Sequence, residues 1–116
     1  MPSTRLFSLK SSLFSLLCGT IGENVSINQG VKVTGDSKVY IGDNSWIGIN
    51  CFIGTNKPAT VKIGKNCDVG PNVSIISGTR EIGNSTRRAG KEISYDVKIG
   101  DGVWIGSSCT INGGAR

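Results

Sequence analysis

Few side chains of this 116-residue chain could perform chemistry, and the most informative observation is that it contains no histidine. Without an imidazole, a Ser-His-Asp or Cys-His catalytic arrangement, a histidine-liganded metal and an ordinary general base near neutral pH are all excluded. An enzymatic mechanism in this chain therefore needs a base of another residue type.

The four cysteines, Cys18, Cys51, Cys67 and Cys109, lie far apart in the sequence and form no C-x-x-C pair. Neither a thiolate metal site nor a redox pair is predicted, and we expect no metal and no permanently bound cofactor. Such cysteines are typical of reduced thiols in a cytoplasmic protein. We expect Cys51, Cys67 and Cys109 to fill small positions in the core.

The charges are spread along the chain, with 13 Lys and Arg against 8 Asp and Glu. Several bases gather only between Arg80 and Lys98, where acidic residues accompany them. With no basic run and no interleaved aromatics, we predict no nucleic-acid partner. The apolar stretch at 13–18 is too short and too rich in serine for a secretory signal or a membrane span.

All five leucines fall within the first 17 residues, at spacings typical of a helix, and Gly19 follows where a helix end favours glycine. We predict a short amphipathic helix over residues 4–17, within an N-terminal segment 1–20. An isolated helix of this length is marginal in water. Its apolar stripe is therefore expected to pack on the body of the protein or on a neighbouring subunit.

From residue 21 onward, a unit of six residues occurs twelve times. Every unit begins with Ile or Val, eight have Gly second, eleven have Asn, Asp or Gly fourth, and eleven have a small residue fifth. A branched aliphatic suits a short strand with a buried side chain, and the fourth residue suits a bend with positive φ. The units begin at Ile21, Ile27, Val33, Ile41, Ile47, Ile53, Ile63, Val69, Ile75, Ile99, Ile105 and Ile111.

The units form four groups of three, and extra residues fall only between groups, at 39–40, 59–62 and 81–98. Three strands and three bends make one coil of a triangular prism, and neighbouring coils stack about 4.8 Å apart. We predict an all-β, parallel β-helix of about four coils over residues 21–116, with a loop extruded at 81–98. Its uncovered last coil has unpaired strand edges, which favour end-to-end association.

The repeated pattern [Ile/Val]-Gly-x-[Asn/Gly]-[small]-x resembles the hexapeptide-repeat acyltransferases, whose single-stranded parallel β-helix is left-handed. Three stretches, beginning Ile75-Ile-Ser-Gly-Thr-Arg, Arg87-Arg-Ala-Gly and Val97-Lys-Ile-Gly-Asp-Gly-Val-Trp, look like the active-site region of the sugar O-acetyltransferase branch, which includes maltose, galactoside and capsular polysaccharide acetyltransferases. The resemblance implies acetyl-CoA as co-substrate and a sugar or similar hydroxyl as acceptor. It also implies a homotrimer with active sites between adjacent columns.

The resemblance places Arg80 where the family has the histidine that deprotonates the acceptor hydroxyl. A guanidinium has donors but no acceptor and cannot take up a proton, and losing a general base typically slows a reaction by about 10²- to 10⁴-fold. Glu81 is an adjacent carboxylate, but consecutive strand residues point to opposite sides. Arg80 could instead clamp a phosphate or sugar carboxylate, or project into a cleft that has lost its function.

The same resemblance implies ligand contacts for three more residues. Trp104 matches the family tryptophan near the acetyl acceptor, and Gly106 and Ser107 match backbone that faces the pantetheine arm of CoA. Arg87 and Arg88 lie on the extruded arm, where a solvated loop is the default interpretation and contact with a phosphate of CoA or an anionic sugar is the alternative. Trp104 shares an outward column with Asp68 and Trp46, so a subunit interface is an equally good interpretation for Trp104 and the preferred one for Trp46.

These features predict an acyltransferase-family protein whose acetyl transfer is weak or lost, because Arg80 replaces the base. The alternative is a non-catalytic, truncated β-helix that acts as a binding or interaction module, since the family usually continues with further coils beyond the equivalent of residues 111–116. A β-helix with an unrelated surface function such as ice binding is disfavoured, because the threonines do not stack into a flat ladder.

Overall fold

The computed structural model describes residues 19–114, which form short strands joined by tight bends. The helix predicted over residues 4–17 lies outside the described residues. In chain order the strands are β1 (Gly19–Ile21), β2 (Ser26–Ile27), β3 (Lys32–Gly35), β4 (Val39–Ile41), β5 (Trp46–Ile47), β6 (Phe52–Thr55), β7 (Val61–Ile63), β8 (Asp68–Val69), β9 (Ser74–Ile76), β10 (Gly78–Ile82), β11 (Ala89–Ser94), β12 (Val97–Ile99), β13 (Trp104–Ile105) and β14 (Thr110–Asn112).

Twelve of these strands form three parallel sheets of four strands, with one strand from each coil in every sheet. Face A has the order β1-β4-β7-β12, face B the order β2-β5-β8-β13, and face C the order β3-β6-β9-β14. This architecture is a parallel β-helix of four coils, consistent with the left-handed form. The predicted fold class is confirmed.

The first residue of each unit points into the prism. Nine of the twelve are buried, and the other three, Ile21, Val33 and Ile111, lie in the first and last coils and pack partly against the core. On face C, Val33, Ile53, Ile75 and Ile111 stack in register. Because full burial of such a side chain is worth about 1.5–3 kcal/mol, this interior column is a main source of stability.

Face A adds a second inward column that the repeat frame does not predict. Val39, Val61 and Val97 are each at most 1% exposed and pair in register, although two of them fall among the supposed extra residues and the third falls in the supposed loop. The strands of face A therefore hold three residues where those of face B hold two. The sequence signal for this column is a valine two residues before the first isoleucine of the second, third and fourth coils.

Nine of the twelve fourth positions have positive φ, as the bend requires. The exceptions are Asp36, Asn56 and Gly78, which belong to the third units of the first three coils, where extra residues follow. Buried hydroxyls stabilise this corner instead. The Ser37 N–H donates to Thr55 Oγ1 at 3.1 Å, and the Asn56 N–H donates to Ser77 Oγ at 3.0 Å.

The extruded segment is a β-hairpin, in which β10 and β11 pair antiparallel. We call residues 78–94 the arm. It begins at Gly78, three residues earlier than the predicted loop, because Gly78 already pairs with Ser94. Thr79, a fifth-position residue that the repeat predicts to point inward, is consequently exposed on the arm.

Candidate active site

Arg80 lies in the middle of β10, and its side chain stays on the arm. Its cross-strand partner is Glu92. The guanidinium Nη1 donates to the Gly90 carbonyl at 3.1 Å, and Nη2 lies 3.8 Å from Glu92 Oε1. Both side chains are exposed, so this ion pair contributes about 0–1 kcal/mol at most. The arrangement holds a cation on the arm and supplies no proton acceptor at the Arg80 position itself.

Glu81 occupies an irregularity of the hairpin. The register of β10 against β11 shifts between Arg80 and Ile82, so Glu81 has no cross-strand partner in that ladder. It is exposed. Arg80 and Ile82 are two positions apart on β10, whereas their partners Glu92 and Ala89 are three apart, so the extra residue lies on β11. Glu81 therefore keeps the strand alternation that points it away from Arg80, and the structure gives no geometric reason to place this carboxylate where the resemblance implies the base.

Arg87 and Arg88 lie at the tip of the arm, where Asn84 organises the turn. The Arg87 N–H donates to Asn84 Oδ1 at 3.2 Å, and Arg88 Nη1 donates to the Gly83 carbonyl at 3.2 Å. Both arginines are exposed. Two cations at the end of an extended hairpin can reach an anionic group that lies beyond the surface of the β-helix itself.

Trp104 lies on face B of the fourth coil and is 80% exposed. It pairs in register with Asp68, and Asp68 pairs in turn with Trp46. The predicted column, with Asp68 between the two tryptophans, is therefore present. Gly106 and Ser107 follow directly at the corner between faces B and C, where Ser107 is exposed. Trp104, Gly106 and Ser107 therefore lie close together along one edge of the fourth coil.

The candidate residues thus fall into two groups on different sheets. Arg80, Arg87 and Arg88 belong to the arm, which leaves the column after face C, whereas Trp104 belongs to face B. Two open cavities of about 500 and 450 Å³ flank the base of the arm, with Tyr95 lining both. Neither cavity is lined by a residue that the sequence assigned to the site. Sequence reasoning missed Glu92 and Tyr95, since neither position stands out before the hairpin register is known.

Two of the three cysteines in the described part have the predicted structural role. Cys51 and Cys67 are buried, and their thiols donate to the carbonyls of Gly70 and Gly100 at 3.1 and 3.0 Å. Burial raises the pKa of the Cys51 thiol, partly opposed by backbone hydrogen bonds, which disfavours the reactive thiolate. Cys109 was wrongly predicted to be core. It is exposed because no coil covers it within residues 19–114.

Between residues 19 and 114, no group of three or more His, Cys, Asp or Glu side chains is placed to hold a metal ion. Over the same residues, no helix has the length and apolar character needed to cross a lipid bilayer.

Similarity to known proteins agrees with this architecture. The chain is 32% identical over 105 residues to the galactoside O-acetyltransferase of Escherichia coli (strain K12), covering 90% of this chain and 51% of that protein. It is also similar to two proteins named "Putative acetyltransferase". The one from Dictyostelium discoideum is 31% identical over 95 residues, which are 82% of this chain and 49% of that protein. The one from Saccharomyces cerevisiae is 35% identical over 102 residues, which are 88% of this chain and 51% of that protein.

The chain spans about half the length of these curated relatives. No protein-family model matches it, and no solved structure matches it significantly. The fold defines the class, a parallel β-helix built from six-residue units. Together with this fold, these relatives support a hexapeptide-repeat, sugar O-acetyltransferase-like family.

Proposed function

We propose that this acyltransferase-family protein binds acetyl-CoA and a sugar hydroxyl, and that acetyl transfer is weak or lost because of Arg80. In such a transfer the acceptor oxygen attacks the thioester carbonyl, its proton passes to a base, and the thiolate of CoA leaves. The observation that supports the proposal is the Arg80 guanidinium, bound to the Gly90 carbonyl and beside Glu92, at the residue where the resemblance implies the family's base. A permanent cation there cannot accept the hydroxyl proton.

The other candidate residues have binding roles in this proposal. Trp104 offers an exposed aromatic face to the acceptor. Arg87 and Arg88 provide cations for a phosphate of CoA or an anionic sugar. Gly106 and Ser107 provide backbone beside the pantetheine arm. Acetyl-CoA is a co-substrate here, and no permanently bound cofactor is part of the proposal. The cytoplasmic location stays a prediction.

The proposed assembly is a homotrimer, because the two groups of candidate residues lie on different sheets of one chain. In a trimer of parallel columns, the arm of one subunit can reach the fourth-coil edge of the next, where Trp104, Gly106 and Ser107 lie, and leave the rest of face B open. Ile82 supports this arrangement, since it is an apolar side chain on the arm and is 88% exposed. A neighbouring column would remove that surface from water.

Light scattering tests the trimer directly. We expect a mass of three times the 12.2 kDa of one chain. Ile82→Asp should shift the protein toward smaller species, because it places a charge in the proposed contact. Ser85→Asp adds the same charge at an exposed position of the arm and should leave the mass unchanged. A monomeric parent protein would contradict the assembly.

Thermal unfolding tests binding of the co-substrate. A ligand that binds only the folded state at about 100 times its Kd stabilises that state by about 2.7 kcal/mol, which corresponds to a rise in Tm of several degrees for a chain of this size. We expect millimolar acetyl-CoA to produce such a rise, and equimolar ADP to produce less because it lacks the pantetheine arm. If acetyl-CoA leaves Tm unchanged, the proposed function fails.

The second candidate function is a non-catalytic β-helix that binds a ligand or partner. The specific observation in its favour is that the Arg80 side chain already has partners on its own arm, the Gly90 carbonyl and Glu92. An arm held in this way can serve as a contact surface without chemistry. Replacement of Arg80 by histidine distinguishes the two functions.

A further inference from the structure

We propose that face B binds an oligosaccharide of at least three sugar units along the column formed by Trp46, Asp68 and Trp104. This proposal rests on the proposed sugar-acceptor function and extends it, because it makes the acceptor a chain of sugars rather than a single one. The column runs across three coils, from the second to the fourth.

The two tryptophans form two separate stacking surfaces on one flat sheet. Trp46 is 49% exposed and Trp104 is 80% exposed. Both pair in register with Asp68, so they are two strand spacings apart, or about 10 Å. That separation is about twice the advance per sugar along a linked chain, so a disaccharide is too short to reach both indoles. A trisaccharide can stack its two end rings on the indoles and place its middle ring over Asp68, with the chain of sugars parallel to the axis of the β-helix.

The same three coils have glycine two residues after each column residue. These are Gly48, Gly70 and Gly106. A Cβ on Gly48 would lie 2.6 Å from the carbonyl carbon of Gly70, and one on Gly70 would lie 2.9 Å from the Ile105 carbonyl oxygen. Stacking of the coils thus requires glycine at the first two positions, and this close stacking holds the column residues in register.

Asp68 distinguishes a sugar from an apolar partner surface. Its side chain is exposed, and within residues 19–114 its carboxylate has no hydrogen bond or ion pair with another side chain. Covering it with a dry apolar surface would bury an unpaired charge at a large cost in free energy. Sugar hydroxyls instead donate hydrogen bonds to a carboxylate, which only accepts. Two aromatic faces with an acceptor between them therefore fit a carbohydrate better than a protein side chain cluster.

We call the surface formed by Trp46, Asp68 and Trp104 the platform. Binding affinity measured as a function of saccharide length tests it. Calorimetric titrations of the full chain would compare methyl β-galactoside, lactose and a lactose-containing trisaccharide, with maltose and maltotriose as a second series. We expect at least one trisaccharide to bind about tenfold more tightly than the shorter members of its series. Trp46→Ala should abolish that gain. Asp68→Asn should weaken every member, because the amide replaces one acceptor oxygen with a donor.

Tyr40→Ala is the matched control, since Tyr40 is an outward aromatic on face A of the same coil as Trp46, where it contacts Lys62. It should leave saccharide binding unchanged. Equal affinities for single sugars and longer chains would overturn the platform. So would a Trp46→Ala variant that loses mass in light scattering while the parent binds no saccharide, because the column would then be a subunit interface. If acetyl-CoA stabilises the protein but affinity does not rise with saccharide length, only the platform is wrong. If affinity rises with saccharide length but acetyl-CoA does not bind, only the transferase function is wrong.

Discussion

Replacing Arg80 by histidine is expected to raise acetyl transfer from acetyl-CoA to a galactoside by about 10²- to 10⁴-fold, which is the usual contribution of a general base. Histidine introduces the proton acceptor that the guanidinium lacks. Glu92 suits it, because it is the cross-strand partner of residue 80 and its carboxylate can accept a hydrogen bond from the other ring nitrogen and orient the imidazole. The measurement is release of free CoA during turnover.

Arg80→Gln is the matched control, since it removes the cation without adding a base and should show no such gain. The two variants should also differ in pH dependence. The rate of Arg80→His should rise as the imidazole loses its proton, near its ordinary pKa of about 6.5. The rate of Arg80→Gln should not show this rise with pH. If the histidine variant folds and binds acetyl-CoA yet gains no activity, the remainder of the site is not competent, and the non-catalytic binding module becomes the better function.

The second large effect concerns stability. Ile75→Ala is expected to reduce the free energy of unfolding by about 2–5 kcal/mol, because it opens a cavity around a side chain that is 1% exposed. Ile75 stacks between Ile53 below and Ile111 above. In a fold where each coil contacts only its neighbours, this substitution weakens two coil interfaces. Denaturation by urea, followed by circular dichroism, measures the loss.

Ile111→Ala provides the comparison, since it makes the same chemical change at the equivalent position one coil further along. Ile111 is only partly buried, and its loss should cost roughly 1–2 kcal/mol, less than a fully buried side chain. Similar m values in the two variants would show that their unfolding exposes similar surface. Equal destabilisation of the two variants would contradict an interior built by nearest-neighbour stacking of coils.

The repeat frame predicted much of the fold because every coil follows the same local rules. Branched aliphatics such as Ile47 and Ile75 mark the inward strand positions, and Asn44 or Asn66 marks a bend whose positive φ few other residues adopt. Because the coils stack, equivalent positions of neighbouring coils lie in register. The column of Trp46, Asp68 and Trp104 was predictable for this reason.

The frame failed where interactions distant in sequence decide the structure. Val61 and Val97 belong to face A because they pair with each other across 36 residues, and no six-residue pattern contains that pairing. Thr79 leaves the coil because the opposite strand of the hairpin pairs with it through Ile93. Cys109 has the right residue type for the core, but its exposure depends on what stacks above it.

Arg80 is the clearest case within the candidate site. The resemblance gives its place in the family motif, whereas its contact with Glu92 depends on the register of the hairpin. The lack of a cross-strand partner for Glu81 likewise comes from a register shift that a sequence pattern does not reveal. Sequence therefore supplied the identity of these residues and not their partners.

The corner between faces C and A receives every departure from the six-residue period, and insertions of two, four and eighteen residues there leave Val39, Val61 and Val97 stacked in one row. The number of residues inserted at this corner therefore does not change the register in which the coils stack. That edge is permissive: a segment placed at 57–60 or within 83–88 should lengthen the chain without displacing the strands on either side. The protein can acquire a new contact surface there while its stacked core stays the same.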